Sequence, residues 1–428
     1  MLNRFFKLSE HHTSVRTEIL AGLSTFLTMS YVIFINPANL ALTGMDKGAA
    51  FVATCLAAAI GSSLMGILAN YPIALAPGIG LNAYFTYSVV LSSGYTWQAA
   101  LGAVFVSALL FLLLSILPIR EHLINGIPKS LKIAIVAGIG LFLSIIGFKN
   151  AGIITGNAAT LVTLGDLHQP TTLLAIFGFF IMVAFDALGI TSAIIVGIFT
   201  ITIISILLGL NHFSGIFAMP PSVIPTLLQM DIRSAFSMGL VTIVFTFLFV
   251  DLFDNTGTLI GIAYRAGFID LSGKLPRINR ALIADSTAAV IGAALGTSTT
   301  TSYVESAIGV KVGGRTGLTA LVVAVLFLLT LFLSPLAASV PIYATAPALI
   351  YVSCLMTRAF TELDWEDPTE YAPAVITAIA MPLTFSIAEG IAFGFISYTA
   401  IKLLSGRVRD LNPAVVILAI AFVAKYVV

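Results

Sequence analysis

The sequence predicts an all-α polytopic membrane protein with about fourteen spans in two inverted halves. Three observations carry this. Charged residues make up 9% of the chain and AVILMFWYC 59%, against roughly 25% and 45–50% in soluble domains. Apolar runs at 101–118, 173–208, 236–250, 281–295 and 318–333 approach or exceed the roughly 20 residues that cross a bilayer core. Two further would-be spans, "YPIALAPGIGLNAYF" (71–85) and "LGTSTTTSYVESAIGV" (295–310), are interrupted by Gly, Pro and hydroxyl residues, about 220 positions apart. The runs lack the period-two alternation of a transmembrane β-barrel, so the bundle is helical.

Spans are placed near 17–37, 48–69, 74–92, 97–117, 131–148, 170–187, 189–209, 235–264, 279–296, 299–311, 314–333, 339–357, 371–386 and 387–405. This puts the basic clusters on one face: Arg120, Lys129 and Lys132; Arg265, Lys274, Arg277 and Arg280; Lys311 and Arg315; Lys402, Arg407 and Arg409. Under the positive-inside rule that face is cytoplasmic, and it holds the N-terminus with Arg4, Lys7 and Arg16. The nearly charge-free connections at 149–169 and 210–234 fall outside. The apolar segment 413–428 either lies along the membrane surface or replaces one of the two short spans before it.

Several function classes drop out. No short apolar stretch followed by a small-residue cleavage site marks a signal peptide. Cys55 and Cys354 stand singly in apolar runs and read as packing residues, not as a disulfide or zinc site. A net charge of +1 gives no footing for nucleic acid. The absence of a GxxxxGK[ST] loop disfavours ATP-driven pumping. No cofactor or metal is expected.

Gly and Pro cost about 1 and 3 kcal/mol in a helix interior, and irregular backbone at membrane depth survives only when buried in protein or lining a cavity. The offset between the two interrupted segments nearly carries "RTEILAGLSTFLTMSYVIF" (16–34) onto "RSAFSMGLVTIVFTFLFVD" (233–251). The chain therefore reads as a weak repeat of seven spans per half. An odd number of spans inverts the repeats, and such folds bind substrate at the repeat interface near the midplane.

A carboxylate at the bilayer centre costs about 2.5–3.5 kcal/mol and calls for a role. Asp254 in the eighth span, Glu305 in the tenth and Asp285 in the ninth are the candidates. Asp254 and Glu305 stand beside backbone-breaking Gly, Ser or Thr; the alternative is a buried pair without a ligand. Asp285 either pairs with Arg280 or has a functional role. Asp251, on the same helix face as Asp254, reads as a hydrogen-bonding partner of nearby backbone. Asn82, close to Gly80 in the first interrupted span, either satisfies an unwound carbonyl or lines a cavity.

The segments "NYPIALAPGIGLNAYF", "FVDLFDNTGTLIG", "KLPRINRALIADS" and "LGTSTTTSYVESAIGVKVGGRTGLTA" resemble, in the same order, the signatures of the azaguanine-type branch of the nucleobase–cation symporter 2 family. Those are bacterial and fungal permeases for adenine, guanine and hypoxanthine. The resemblance covers nearly the whole chain and implies the uracil-permease fold of fourteen spans in two inverted repeats, with short strands in the broken spans. It implies a core domain of 17–117 (helices 1–4) and 235–333 (helices 8–11), and a gate domain of 131–209 (helices 5–7) and 339–428 (helices 12–14), with the nucleobase between them. It also implies Glu305, Asp254, Asn82, Gly80 and Thr301 as substrate-binding, and Asp254, Glu305 and Asp285 as proton-coupling residues. The uracil and xanthine branches carry Glu where this chain has Asp254, so their contacts do not transfer atom for atom.

The expected function is import of purine nucleobases by proton symport across a bacterial cytoplasmic membrane, with the lipid bilayer as surroundings and no enzyme activity. A homodimer is left open: related gate folds often pair, and no span carries a decisive dimer motif. The rivals are a carrier of the same fold moving an anion and, more distantly, an intramembrane aspartyl protease. The protease reading lacks a "GxGD" motif.

Overall fold

The computed structural model describes residues 2–116, 127–265, 268 and 277–427; within 253–265 several side chains, Asp254 among them, lie outside the description, as do Arg120 and Lys274. The first span is α1 (Val15–Met29) and α2 (Val32–Ala41), separated by a break at Ser30–Tyr31. α3 (Lys47–Leu64) starts where the Asp46 carboxylate accepts the Ala49 N–H at 2.7 Å, satisfying one of the helix's orphan donors. It ends in a π-helical turn closed by Asn70 in the left-handed conformation, φ 53°.

β1 (Leu75–Pro77) and α4 (Ile79–Ala83) follow, and α4 runs on as a π-helix to Ser92. α5 (Trp97–Ile116) and α6 (Lys129–Asn150) precede a hairpin of β2 (Ile154–Asn157) and β3 (Leu161–Leu164). α7 (Pro170–Ala187) and α8 (Ala193–Leu207) close the first half. The second half holds α9 (Met238–Arg265), α10 (Ile278–Leu295), β4 (Thr300–Ser302), α11 (Ser306–Val312) and α12 (Gly317–Thr330). α13 (Ile342–Thr357), α14 (Pro368–Thr384), α15 (Ile387–Leu404) and α16 (Pro413–Val427) end it.

Eight spans among the described residues are long and apolar enough to cross a membrane, and shorter apolar helices lie at Ala193–Leu207, Gly239–Leu252 and Pro413–Ala424. This is the expected architecture of two inverted repeats whose third and tenth spans are broken by short strands. Three details go beyond the sequence reading. The connection at 149–169, to which the sequence reading assigned no secondary structure, folds into the β2–β3 hairpin. α14 and α15 both form, so the terminal segment replaces neither; α16 stacks on α15 through Phe393 and Tyr426, ring centroids 6.0 Å apart. Of the cysteines, Cys55 is buried and Cys354 exposed, so only the first is a packing residue.

The chain forms two compact units. One comprises Met1–Ile116 with Asn150–Ala348, the other Leu117–Lys149 with Leu349–Val428. In the first unit, Glu18 of α1 is fully buried and its carboxylate accepts from the backbone N–H of Arg315 (2.9 Å) and Thr319 (3.2 Å) and from the Thr319 hydroxyl (2.6 Å). A carboxylate at the N-terminus of α12 meets both the orphan donors and the positive end of the helix dipole. In the second unit the buried Lys402 of α15 pairs with Glu370 of α14 at 2.7 Å.

Candidate functional site where the broken spans pair

The two interrupted segments meet as an antiparallel pair, with Leu75 opposite Ser302, Ala76 opposite Thr301 and Pro77 opposite Thr300. Pro, Gly and the Thr/Ser run prevent either segment from continuing as a helix, and each strand satisfies backbone groups of the other. The Gly78 N–H donates to the Thr299 carbonyl (2.9 Å) and the Tyr303 N–H to the Ala74 carbonyl (3.0 Å). Gly78 has to be glycine for this approach, since a Cβ there would lie 2.7 Å from Thr301 Cγ2.

Around β4 the side chains form a continuous polar network. Asn255 of α9 is fully buried; its Oδ1 accepts from the Thr301 hydroxyl (2.8 Å) and the Ser302 N–H (2.9 Å), while its Nδ2 donates to Asp251 (2.8 Å). The Ser302 hydroxyl donates to Asp285 of α10, also fully buried, at 2.8 Å. Three residues on, half-buried Glu305 occupies the N-cap position of α11 and accepts a 2.6 Å hydrogen bond from the buried Tyr31 hydroxyl.

On the β1 side Asn82 is fully buried in α4, its Oδ1 accepting from Asn39 Nδ2 at 2.9 Å; its Nδ2 has no partner among the described residues. Asn36, one turn before Asn39, donates to Thr54 (2.7 Å) and Thr297 (2.9 Å). A short buried amide ladder on α2 thus ties the first span to both broken ones.

Glu305, Asp285, Thr301 and Asn82 therefore all lie in the first unit, close to the β1–β4 pair. Gly80 is the second residue of α4 and half-buried. The side chain of Asp254 lies outside the described residues, though its backbone sits in α9 immediately before Asn255. Asp251 accepts from the side-chain amide of Asn255, four residues ahead. Tyr31, Asn39, Asn255 and Ser302 escaped the sequence reading. Asn255 was legible in "FVDLFDNTGTL", being four residues after Asp251 on the same helical face; Tyr31 carries no comparable local signal.

This architecture, an acid-lined pair of broken helices inside an inverted repeat, defines a transport protein. Residues 16–393 match the Permease family, and the chain belongs to that family, in its azaguanine-type branch. It is 51% identical to adenine permease AdeP of Escherichia coli (strain K12), over 100% of this chain and 96% of that protein. It is 45% identical to guanine/hypoxanthine permease PbuG of Bacillus subtilis (strain 168), over 100% and 99%. Among solved structures, the transmembrane domain of the cyanobacterial bicarbonate transporter BicA aligns with TM-score 0.64 at 17% identity, covering 88% of this chain and 96% of that one. Murine Slc26a9 in the inward-facing state aligns with TM-score 0.65 at 13% identity, covering 92% and 69%. At those identities the likeness speaks for the fold alone. Membership among permeases removes the protease alternative: the chain is a multi-pass membrane transporter and not an enzyme.

Proposed function

We propose that the protein imports purine nucleobases, adenine or guanine and hypoxanthine, across a bacterial cytoplasmic membrane in symport with protons. The observation that carries this reading is the placement of Glu305. Its carboxylate is anchored through one oxygen by Tyr31, three residues beyond a strand whose hydroxyls already engage Asn255 and Asp285. A purine presents a flat apolar face and an edge of donors and acceptors, which suits a slot with a few fixed polar groups. An ionised carboxylate accepts in parallel from guanine N1–H and its exocyclic amine, the stronger charge-assisted geometry. Hypoxanthine keeps one of these bonds. A protonated carboxyl donates to adenine N1 while accepting from its amine, which links protonation to base preference.

In this mechanism Glu305 holds the base edge, Asn82, Gly80 and Thr301 line the slot, and Asp254, alone or with Asp285, carries the coupled proton. Acids within interaction range of one another titrate as a set rather than singly, so the proton is assigned to the acids together. The core (17–117 and 235–333) moves against the gate (131–209 and 339–428) and exposes the site to each side in turn, with the N-terminus in the cytoplasm. The names of the relatives support purines as cargo. The solved neighbours include a bicarbonate transporter, which keeps anion transport as the second reading. Net positive charge or helix N-termini without acids would suit an anion, and the surroundings of β4 are acidic.

Proteoliposomes loaded with the purified protein test both readings. Labelled adenine, guanine or hypoxanthine should accumulate when a pH gradient, acid outside, is imposed. Sulfate should not. Glu305→Gln should abolish purine uptake at unchanged membrane abundance. Sulfate uptake without purine uptake would establish the anion reading, full transport by Glu305→Gln would reject the role of the carboxylate, and accumulation driven equally by sodium would reject the proton.

A further inference from the structure

Tyr31 lies at the break between α1 and α2, where the first span tightens into a turn with Ile33 N–H bonded to the Ser30 carbonyl and Phe34 N–H to the Tyr31 carbonyl. Tyrosine is an unusual choice for a site 2% exposed, because its hydroxyl then needs a partner. That partner is Glu305, 2.6 Å away and 274 residues distant in the chain.

The contact is held from both ends. On one side the Ser30 N–H donates to the Phe26 carbonyl and the Ile33 N–H to the Ser30 carbonyl, fixing the backbone on either side of the break. On the other, α11 lies directly against α1 one turn beyond Glu305. A Cβ on Gly309 would fall 2.2 Å from Thr25 Oγ1 and 2.9 Å from the Ala21 carbonyl. A glycine contact this close leaves α11 little freedom to slide, so the phenol and the carboxylate meet in one register.

We propose that Tyr31 is the positioning residue of the purine site: its hydroxyl takes one lone pair of Glu305 Oε1, fixes the rotamer, and turns the remaining acceptors toward the base edge. This rests on the purine reading above. A glutamate at a helix N-terminus has three rotatable bonds, and a carboxylate that must meet two parallel N–H donors gains affinity when the free protein already holds it in the bound geometry. Tyr31 supplies that restraint without touching the purine. Asp285 and Asn255 act on the strand and leave the Glu305 carboxylate unrestrained, so no other side-chain hydrogen bond to Glu305 among the described residues duplicates the role.

Tyr31→Phe keeps the ring and removes the donor. At equal membrane abundance and unchanged elution of the purified protein, the KM for the transported purine should rise about tenfold, the size of one hydrogen bond to a charged group, while uptake at saturation stays within about twofold. A fluorinated tyrosine at position 31 has the same shape and a stronger donor, and serves as the second variant. Its KM should stay at or below the wild-type value, the rescue that a role in packing alone would not require of the hydroxyl. A wild-type KM in Tyr31→Phe, or a KM raised equally by both substitutions, overturns the inference. Failure of the wild-type protein to bind any purine would instead sink the functional reading beneath it.

Discussion

The two broken spans are related by the repeat, pair residue for residue, and yet differ in chemistry. β1 reads Leu-Ala-Pro and β4 reads Thr-Thr-Ser. The β1 side chains have nothing to donate, so that strand is held through its backbone. The Leu75 N–H donates to Ser62 Oγ (2.9 Å), the Ser62 hydroxyl returns a bond to the Leu75 carbonyl (3.1 Å), and the Ala74 N–H donates to Ser306 Oγ (3.0 Å). β4 uses its side chains as well, reaching Asn255 on α9 and Asp285 on α10. After β1 the chain continues as helix to Ser92; after β4 it makes only the seven residues of α11 and stops at Gly313, φ 116°. Inverted symmetry thus fixes the backbone of the crossing, while the side chains make one arm a platform and the other the polar arm that presents Glu305.

The widest gap between the arms should appear at Asn255. Asn255→Ala leaves the Thr301 hydroxyl and the Ser302 N–H without their acceptor inside protein, and each such buried group costs about 1–3 kcal/mol. The expected loss is on the order of 4 kcal/mol, with uptake abolished. Asn255→Asp keeps the acceptor but sets a second carboxyl against Asp251 in place of the amide donor, so it should also lower the melting temperature, with partial recovery as pH falls and the two acids share a proton. A wild-type melting midpoint for Asn255→Ala in detergent would erase the distinction between the arms. On the platform side, Ser62→Ala leaves the Leu75 N–H without its acceptor and the Leu75 carbonyl without the Ser62 donor, at about 1–3 kcal/mol for each such buried group. It should lower the midpoint and leave the purine KM where it was. If Ser62→Ala shifts KM as strongly as Asn255→Asp, the β1 arm is as chemical as its partner.

Much of this comparison was legible in the sequence. Charge scarcity, the basic clusters and the two Gly/Pro/Thr-rich interruptions follow from what a bilayer permits of a backbone, and they pointed to the spans, the repeat and the two broken segments; the strands within those segments came from the family resemblance. The acids stood out because burying a carboxylate in hydrocarbon is expensive. Neutral polar partners did not, since Tyr, Asn and Ser inside an apolar run carry a small local penalty and their meaning depends on what faces them across the fold. Tyr31 meets Glu305 over 274 residues of chain, and Asn39 meets Asn82 over 43; single-sequence periodicity carries no information about such pairs. The β2–β3 hairpin was missed for a related reason. Its strands hold "ITGN" and "LVTL" without a two-residue Asn-Gly or Asp-Gly turn between them, which is the short-range signal a hairpin usually gives.

The smallest effect should come from a carboxylate far from both arms. Asp367 caps α14 in the second unit, accepting from the hydroxyl (2.8 Å) and N–H (2.9 Å) of Thr369, and it pairs with Arg407. The Thr369 hydrogen bonds, with Arg407 beside them, hold its carboxyl down from 3.8 to about 2. A depressed carboxyl stabilises the fold at pH above its unfolded value and loses that contribution as pH falls toward the folded one. The Asp367 contribution is therefore complete above about pH 4 and fades toward pH 2. Asp367→Asn should lower the melting temperature slightly at pH 7, the difference from wild type should close as pH falls from about 4 to 2, and high salt should shrink it because the Arg407 pair is partly exposed to solvent. Purine KM at neutral pH should be untouched. A KM shift in Asp367→Asn would mean that charge in the second unit reaches the base-binding carboxylate, and the chemistry would no longer belong to the β4 arm alone.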